Sequence, residues 1–461
     1  MKDRILGTLD QLREYARGKG CEVALHYREE DSYLMRFANS AISLNTNEHL
    51  IRLGITAYSG RKRASYTLIT ALDSIDAMKQ GVDTAADMVE HSQPLTYQPT
   101  VPVLSESFVV EEGYDESLAQ FSNEDRLQYF GNAAAGLETD ALGLSGIFSC
   151  GSNINAVTNT KSDHSLYFRT SDAQATVVLA HRKLKWEVIA EQSAQKLSDL
   201  DPDRLRQDLA FLVERYETET ALQLPLGKYD IVLGPAATAE LISFMNWIGF
   251  NGGLMKRGYS FMSEEQIGQK VLSEQFTLVD DPERLETFPL KRDFTGIARG
   301  LFPLFTEGVF QGFTWSQDDA DEFSITPTGH TVNHKSLVLD GGESQISTLE
   351  ELANMPREKD ILYIPFLHYL NIVNPTKGTI TASSRFGALL LKQDGSTAIP
   401  YNVRLTQSLL DIFGNKVAWL SRETVPYNTS DSYGERNPTA VIVPRFVRVN
   451  DLEISHSNTS Y

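Results

Sequence analysis

The sequence predicts an α+β fold with an N-terminal α/β domain made of an antiparallel meander and flanking helices, a middle α+β domain, and a large β-rich C-terminal domain. Two observations predict it. Helical and strand-like apolar periodicities alternate in the first half of the chain, whereas short apolar runs punctuated by glycine fill the second half. The 461 residues, 41% of them hydrophobic, suffice for about two or three buried cores. We expect these domains to span residues 1–93, 104–222 and 223–461.

The N-terminal domain opens with a helix. Apolar residues recur at helical spacing over residues 5–16, and glycines follow, so one amphipathic helix is expected there. Apolar and polar residues then alternate over residues 23–58, which predicts the strands of an antiparallel meander. A second helical pattern covers residues 72–89, about five turns at the usual rise per residue. Prolines after it indicate a linker.

The middle domain is predicted to contain two helices around a set of strands. Ser122 is a plausible N-cap for a helix that carries apolar residues up to Leu137. Residues 146–180 alternate as strands do. A further helix is expected to begin at Asp201 and Pro202, because an acidic N-cap followed by proline is a common helix start.

The C-terminal domain begins with a pattern of strand, tight turn and helix. Residues 228–233 form an apolar run that ends at Gly234 and Pro235, and an alanine-rich stretch follows. The remaining apolar runs are too short for long helices. We therefore expect this domain to be mainly β-structure.

Composition excludes several classes of function. The formal net charge of −19 opposes binding to phosphate backbones, so no direct nucleic-acid role is expected, and the single basic cluster at residues 61–63 is interpreted as a solvated turn. Apolar runs shorter than a membrane span and an N-terminus without a signal-peptide core predict a soluble, cytoplasmic protein with no membrane role. Cys21 and Cys150 are interpreted as two buried thiols.

Four stretches carry a family resemblance. They are RFANSAISLNT, LGITAYSGRKRASYT, LYIPFLHYLNIVNPTKGTITASSRFGALLLKQDG and, around the predicted helix of the C-terminal domain, the pattern PxGxYDIVLxPxATAELI. The chain resembles the TldD/PmbA family, a family of zinc metallopeptidases that also bears the name modulator of DNA gyrase. The resemblance covers nearly the whole chain.

In the peptidase branch of that family an HExxxH zinc motif occupies this helix. Between Leu241 and Phe250 the present chain has no His, Cys, Asp or Glu. Any register of the motif places its histidines on residues without a suitable lone pair, and zinc needs about three protein donors. The positions that the resemblance marks as vacated zinc-site positions are Phe244, Met245, Gly249 and Phe250 on the helix and Tyr433 in place of a C-terminal cysteine ligand. With Gly252 and Gly253 after the helix, the chain resembles the zinc-free PmbA/TldE branch.

This resemblance implies a zinc-free TldE-like subunit without catalytic residues or a cofactor of its own. Such a subunit binds or gates unfolded peptides for proteolysis by a zinc-bearing TldD-like partner, or pairs with itself in a dimer. Phe244 and Trp247 are candidates for lining a pocket at the vacated site, although an apolar helix face more often packs in a core.

Two alternatives stay open from the residues. One is an active metallopeptidase with atypical zinc ligands. Its candidate ligands are His330, His334, Asp318, Asp319, Asp321 and Glu322. Against it, the two histidines lie in a context typical of a loop or strand, which would hold them about 13 Å apart. The other alternative is a homodimeric binding protein with no proteolytic role. Serine-hydrolase and nucleotide-binding motifs are absent from the sequence.

Overall fold

The computed structural model describes residues 1–101, 103–430 and 435–461. The first half of the chain contains α1 (Lys2–Gly18), β1 (Glu22–Ala38), β2 (Ala41–Ser59), β3 (Lys62–Thr70), α2 (Ile75–His91), β4 (Phe108–Val110), α3 (Glu116–Ala119), α4 (Asn123–Ala133), β5 (Leu142–Asn159), β6 (Ser165–His181), β7 (Glu187–Ala194) and α5 (Pro202–Thr218).

The second half is richer in short strands. It contains β8 (Ala221–Leu222), β9 (Gly227–Leu233), α6 (Pro235–Gly249), α7 (Gly252–Lys256), β10 (Leu278–Asp280), β11 (Phe302–Thr306), β12 (Val309–Phe310), α8 (Gln317–Phe323), β13 (Leu337–Leu339), α9 (Leu349–Asn354), β14 (Ile361–Ile364), β15 (Phe366–Asn374), β16 (Thr379–Arg385), β17 (Leu389–Leu391), β18 (Thr397–Pro400), β19 (Val403–Ser408), α10 (Leu409–Ile412), β20 (Val417–Leu420), β21 (Thr424–Asn428), β22 (Ala440–Pro444) and β23 (Val447–Ser457).

The first sheet combines strands from the two N-terminal predicted domains. Its strand order is β3-β2-β1-β5-β6-β4, and β7 also pairs with β6. β1 joins the two parts, because it pairs antiparallel with β2 on one side and with β5 on the other. The domain boundary between residues 93 and 104 stays a prediction, and the sheet is continuous across it.

Helices pack on this sheet where the apolar periodicity predicts. The apolar face of α1 is fully buried and meets β1, β2 and α2 in one cluster. α2 begins at Ile75, later than the predicted residue 72, because a turn from Ala71 to Ser74 precedes it. Ser122 is confirmed as an N-cap, since it and Asp125 form a reciprocal capping box at the start of α4. Asp201 likewise caps α5, with Pro202 in its first turn.

Two further sheets build the C-terminal region. A six-stranded sheet has the order β12-β11-β10-β13-β22-β21, and a ten-stranded sheet has the order β15-β16-β19-β23-β9-β14-β17-β18-β8, with β20 paired to β23. Helices α6 and α7 and both sheets share the largest apolar cluster. The α+β class and the β-rich C-terminal region are therefore confirmed.

No helix within the described residues is long and apolar enough to span a membrane. Both cysteines are free; Cys150 is buried, and Cys21 retains part of its surface.

Candidate functional site

Helix α6 is held over the ten-stranded sheet by the turn that follows β9. The Gly234 N–H donates to the Ile364 carbonyl at 2.9 Å, and a Cβ at Gly234 would lie 3.0 Å from the Cα of Pro365. Pro235 then occupies the first helical position, where its missing N–H is not needed. The predicted succession of strand, turn and helix is confirmed.

One face of α6 is partly exposed, and the rest of the helix is buried. Glu240, Ser243, Phe244 and Trp247 share the exposed face, at helical spacing. The face is mainly apolar in its second half, where Trp247 is 50% exposed and contacts the Phe244 ring edge-on at 5.9 Å. The prediction that Trp247 lines a pocket stays a prediction.

The other predicted zinc-site positions lie in different environments. Met245 and Phe250 are fully buried in the C-terminal core. Gly249 is packed so closely that a Cβ there would lie 2.5 Å from the Phe261 ring. Tyr433 lies outside the described residues. That these positions descend from a zinc site stays a prediction.

A buried polar network lies beside α6 in the six-stranded sheet. Asp280, at the end of β10, is fully buried. Its carboxylate accepts hydrogen bonds from Arg299 at 2.8 Å and from the Ser336 N–H at 2.8 Å, and it contacts Nδ1 of His330 at 2.6 Å. Burial by itself raises the pKa of Asp280, but Arg299 and His330 outweigh burial and hold this pKa below its ordinary value.

Lys335 connects this network to α6. It is 6% exposed, and its ammonium donates to the Asn246 side chain and lies 5.9 Å from the Phe250 ring centroid. Burial lowers the pKa of Lys335 to about 7, and the attraction of Asp280 offsets only part of that effect. Near neutral pH this amine is therefore close to half protonated.

The histidines and acidic residues of the atypical-ligand hypothesis have separate partners. His334 packs against Phe294, and burial lowers the pKa of His334 to about 3. The carboxylates of α8 contact basic or hydroxyl groups. These contacts are Arg63 with Asp318, Arg257 with Asp319 and Glu322, and Thr100 with Asp321. Within the described residues, no three His, Cys, Asp or Glu side chains are grouped closely enough to hold a metal ion.

Arg436 ties the C-terminal region to the first sheet. Its guanidinium donates two hydrogen bonds to the Asp172 carboxylate, at 2.8 and 2.7 Å, and reaches the hydroxyls of Ser32 and Ser149 at 3.2 Å. Burial raises the pKa of Asp172, although Arg436 acts in the opposite direction. The fork of one arginine thus joins β1, β5 and β6.

We expect the substitution Arg436→Lys to lower the free energy of unfolding by about 2 kcal/mol, since an ammonium keeps the charge but cannot make the paired contacts. Urea denaturation of the two chains checks this. Arg182, an exposed arginine next to Gly143, provides the control Arg182→Lys, for which a change below about 0.5 kcal/mol is expected. Equal stability of Arg436→Lys and the unchanged chain would contradict the prediction.

A cavity of about 370 Å³ lies beside the first turn of α6. It is lined by β7, α5, β21 and the first residues of α6. Glu191 on β7 lines it and accepts a hydrogen bond from Thr176 at 3.2 Å and one from the phenol of Tyr427. Burial raises the pKa of Glu191 to about 7, and the nearby carboxyl of Glu240 adds to this effect.

Sequence analysis did not identify Glu191, Glu240 or Tyr427. Glu240 had a usable signal, because it precedes Ser243 by three residues and therefore shares a helix face with Phe244. Glu191 and Tyr427 had no such sequence signal, because they are far apart in the chain and meet only when β7 and β21 pack together.

The family comparison matches the C-terminal half of the chain. Residues 226–456 fit the model of the PmbA/TldA metallopeptidase C-terminal domain. No curated protein matches the sequence.

Solved structures match over nearly the whole chain. The crystal structure of TldE from Thermococcus kodakarensis has a TM-score of 0.80 at 16% identity and covers 97% of this chain and 100% of its own. Two proteins described as proposed modulators of DNA gyrase, from Thermotoga maritima and Bacteroides thetaiotaomicron, each have a TM-score of 0.75 at 16% identity. Both cover 97% of this chain, and 99% and 98% of their own chains. At this identity the similarity is one of fold.

Proposed function

The chain belongs to the TldD/PmbA metallopeptidase family, and on that basis we propose that it is a zinc-free, TldE-like subunit that binds or gates unfolded peptides for a zinc-bearing partner. The observation that carries this proposal is the composition of α6. The family places its zinc ligands on this helix, yet the window from Leu241 to Phe250 offers no imidazole, thiolate or carboxylate. Zinc is held in proteins by those donors.

The packing of α6 supports the same proposal. Met245 and Phe250 are fully buried in the core, and Gly249 has no room for a side chain beside Phe261. A ligand triad would need polar side chains that converge on one accessible point. The helix instead serves as a packing element with one partly exposed face, of which the second half is apolar.

An exposed strand beside α6 is a suitable place for an unfolded peptide. β15 is an edge of the ten-stranded sheet, and among the described residues only β16 pairs with it. α6 packs against β15, and Tyr369 and Val373 of this strand are 69% and 59% exposed. An extended peptide binds such an edge through main-chain hydrogen bonds, whatever its sequence, and apolar neighbours add contact area.

The acidic charge and the TldE-like fold fit a role beside a peptidase. The net charge of −19 opposes a direct contact with DNA, so the family name of gyrase modulator receives no support from electrostatics. The match to the Thermococcus TldE over nearly the whole chain supports a TldE-like role. A chain that pairs only with itself is the alternative that the experiment below distinguishes.

The test mixes the purified chain with an HExxxH-bearing homologue from the same genome and follows the cleavage of fluorescently labelled casein, an unfolded polypeptide. We expect no cleavage by the chain alone. The mixture should cleave casein in a reaction that a chelator stops, because the partner supplies the metal. Cleavage by the chain alone, with about one zinc bound per chain, would overturn the proposal and favour a relocated site.

A substitution on β15 tests the proposed binding of peptides separately from their cleavage. Val373→Glu places a charge on the exposed edge and should weaken casein binding by about fivefold or more, because an apolar contact is replaced by a solvated group that repels acidic segments. Leu184→Glu changes a similarly exposed apolar side chain in the turn after β6; it is the matched control and should leave binding unchanged. Equal losses in both variants would exclude β15 as the binding edge.

A further inference from the structure

Two ion pairs lie between the cavity beside α6 and an outer depression. This depression of about 1150 Å³ adjoins the cavity and shares with it Arg204, Asp208, Leu349, Glu423 and Arg445. Arg204 pairs with Glu423 at 2.6 Å, and Arg445 pairs with Asp208. These two pairs therefore stand at the boundary between the outer depression and the cavity.

The wall of the cavity contains buried polar atoms without partners. Ser193 is 5% exposed and Asn428 is 4% exposed, and neither the Ser193 hydroxyl oxygen nor the Asn428 amide nitrogen has a hydrogen-bond partner among the described residues. One carboxylate oxygen of Glu423 is also buried and has no hydrogen-bond partner among the described residues. Leaving such groups unpaired costs about 1–3 kcal/mol each, so their clustering in one cavity indicates a polar occupant.

The carboxyl of Glu191 has no basic side chain paired with it among the described residues. Glu191 accepts hydrogen bonds from Thr176 and Tyr427, but in the part of the chain that the structure describes no Lys or Arg forms an ion pair with Glu191 or with its neighbour Glu240. The two arginines of the wall are already paired with Glu423 and Asp208. A cation supplied from outside would complete the charge balance.

We infer that this cavity binds a primary ammonium group that has a carbonyl oxygen beside it, which is the chemistry of an α-aminoacyl group. Glu191 pairs with the ammonium, and the Ser193 hydroxyl accepts a hydrogen bond from it. The Asn428 amide donates to the neighbouring carbonyl oxygen. The unpartnered atoms of Ser193 and Asn428 thus each receive a partner of the right kind. The inferred occupant is the first residue of a peptide, so this inference rests on the proposed function.

Other classes of ligand fit less well. A phosphate or another anion would meet an excess of carboxyl groups, since Glu191, Asp199, Asp208, Glu286 and Glu423 face only two arginines. An apolar molecule would leave the buried hydroxyl and amide unpaired. An ammonium beside Glu191 would favour the charged carboxylate and so lower the pKa that burial raises.

The test is calorimetric titration of the full chain at pH 7.5 with small probes that differ in one group. Alanine amide and trialanine amide carry the ammonium and the carbonyl, and N-acetylalanine amide lacks the ammonium. We expect acetylation to weaken binding by about tenfold or more, because it removes a charge-assisted contact. Alanine and Nα-acetyl-lysine amide distinguish a free amino acid and a lysine side chain from a peptide end, and both should bind more weakly than trialanine amide.

Two variants locate the site, and one controls for it. Glu191→Gln should weaken trialanine amide binding by about tenfold, and Ser193→Ala, which removes only an unpartnered oxygen, by about threefold. Glu187→Gln makes the same change on the same strand, at a side chain that pairs with Arg385 at 2.8 Å outside the cavity wall, and should leave binding unchanged. Melting curves of each variant check that it is folded.

The outcomes separate this inference from the proposed function. Equal binding of the free and acetylated probes, or unchanged binding in both Glu191→Gln and Ser193→Ala, overturns the ammonium site while casein binding stands. Absence of binding by every probe overturns it as well. Binding of alanine amide that depends on Glu191, in a chain that does not bind casein, supports the ammonium site and contradicts the proposed function.

Discussion

Replacing Asp280 by alanine is expected to lower the free energy of unfolding by about 3–5 kcal/mol, the usual cost of breaking a buried ion pair from one side. Arg299 and Asp280 are both fully buried, and the carboxylate also holds His330 and the Ser336 N–H. Without it, the guanidinium remains in the core with no carboxylate in ion-pair contact among the described residues. Asp280→Asn should lower the free energy of unfolding by less, because the asparagine side-chain oxygen can still accept the hydrogen bond from the Ser336 N–H.

Urea denaturation followed by tryptophan fluorescence measures this loss. Asp140→Ala, at an exposed aspartate that forms no ion pair among the described residues, is the control and should change stability by less than about 0.5 kcal/mol. The pKa of Asp280 in the folded chain lies below the ordinary value for an aspartate. The carboxylate therefore contributes its full stabilisation at pH values above that ordinary pKa. This contribution is lost as the pH falls from the ordinary pKa through the lowered pKa of the folded chain. A loss under about 1 kcal/mol would show that Arg299 finds another partner.

Replacing Lys335 by methionine is expected to change the pH dependence of stability. The pKa of this amine is about 7 in the folded chain, against 10.5 for an ordinary lysine. Between these values the unfolded chain binds the proton that the folded chain has lost, so stability rises with pH, by at most about 1.4 kcal/mol per pH unit. Lys335→Met removes this rise, so the stability of the unchanged chain should increase relative to that of the variant between pH 7 and pH 10.

The quantity to measure is the difference in free energy of unfolding between the unchanged chain and Lys335→Met at each pH. Other groups titrate in both chains, and their contributions cancel in this difference. Summed from pH 7 to pH 10, the stability of the unchanged chain should rise relative to that of the variant by about 3–4 kcal/mol. Lys183→Met, at an exposed lysine, should follow the unchanged chain at every pH. Parallel curves for Lys335→Met and the unchanged chain would mean that the buried amine keeps its proton up to pH 10.

The helices α1, α4 and α5 could be predicted from short stretches of sequence. The apolar spacing over residues 5–16 is a property of the helix itself, and the caps at Ser122 and Asp201 act on the adjacent turn, so neighbouring residues decide both. The turn at Gly234 and Pro235 is equally local. The start of α2 was placed three residues early, because periodicity does not show where a preceding turn ends.

Residue types and short spacings are enough to give the α+β class, the family resemblance and the lack of ligand side chains between Leu241 and Phe250. Which charged groups meet depends instead on how distant parts of the chain pack together. Asp280 meets His330 across 50 positions, and Asp172 meets Arg436 across 264. The properties of Glu191 and Lys335 follow from burial, which depends on every element packed around them, and no local spacing encodes it.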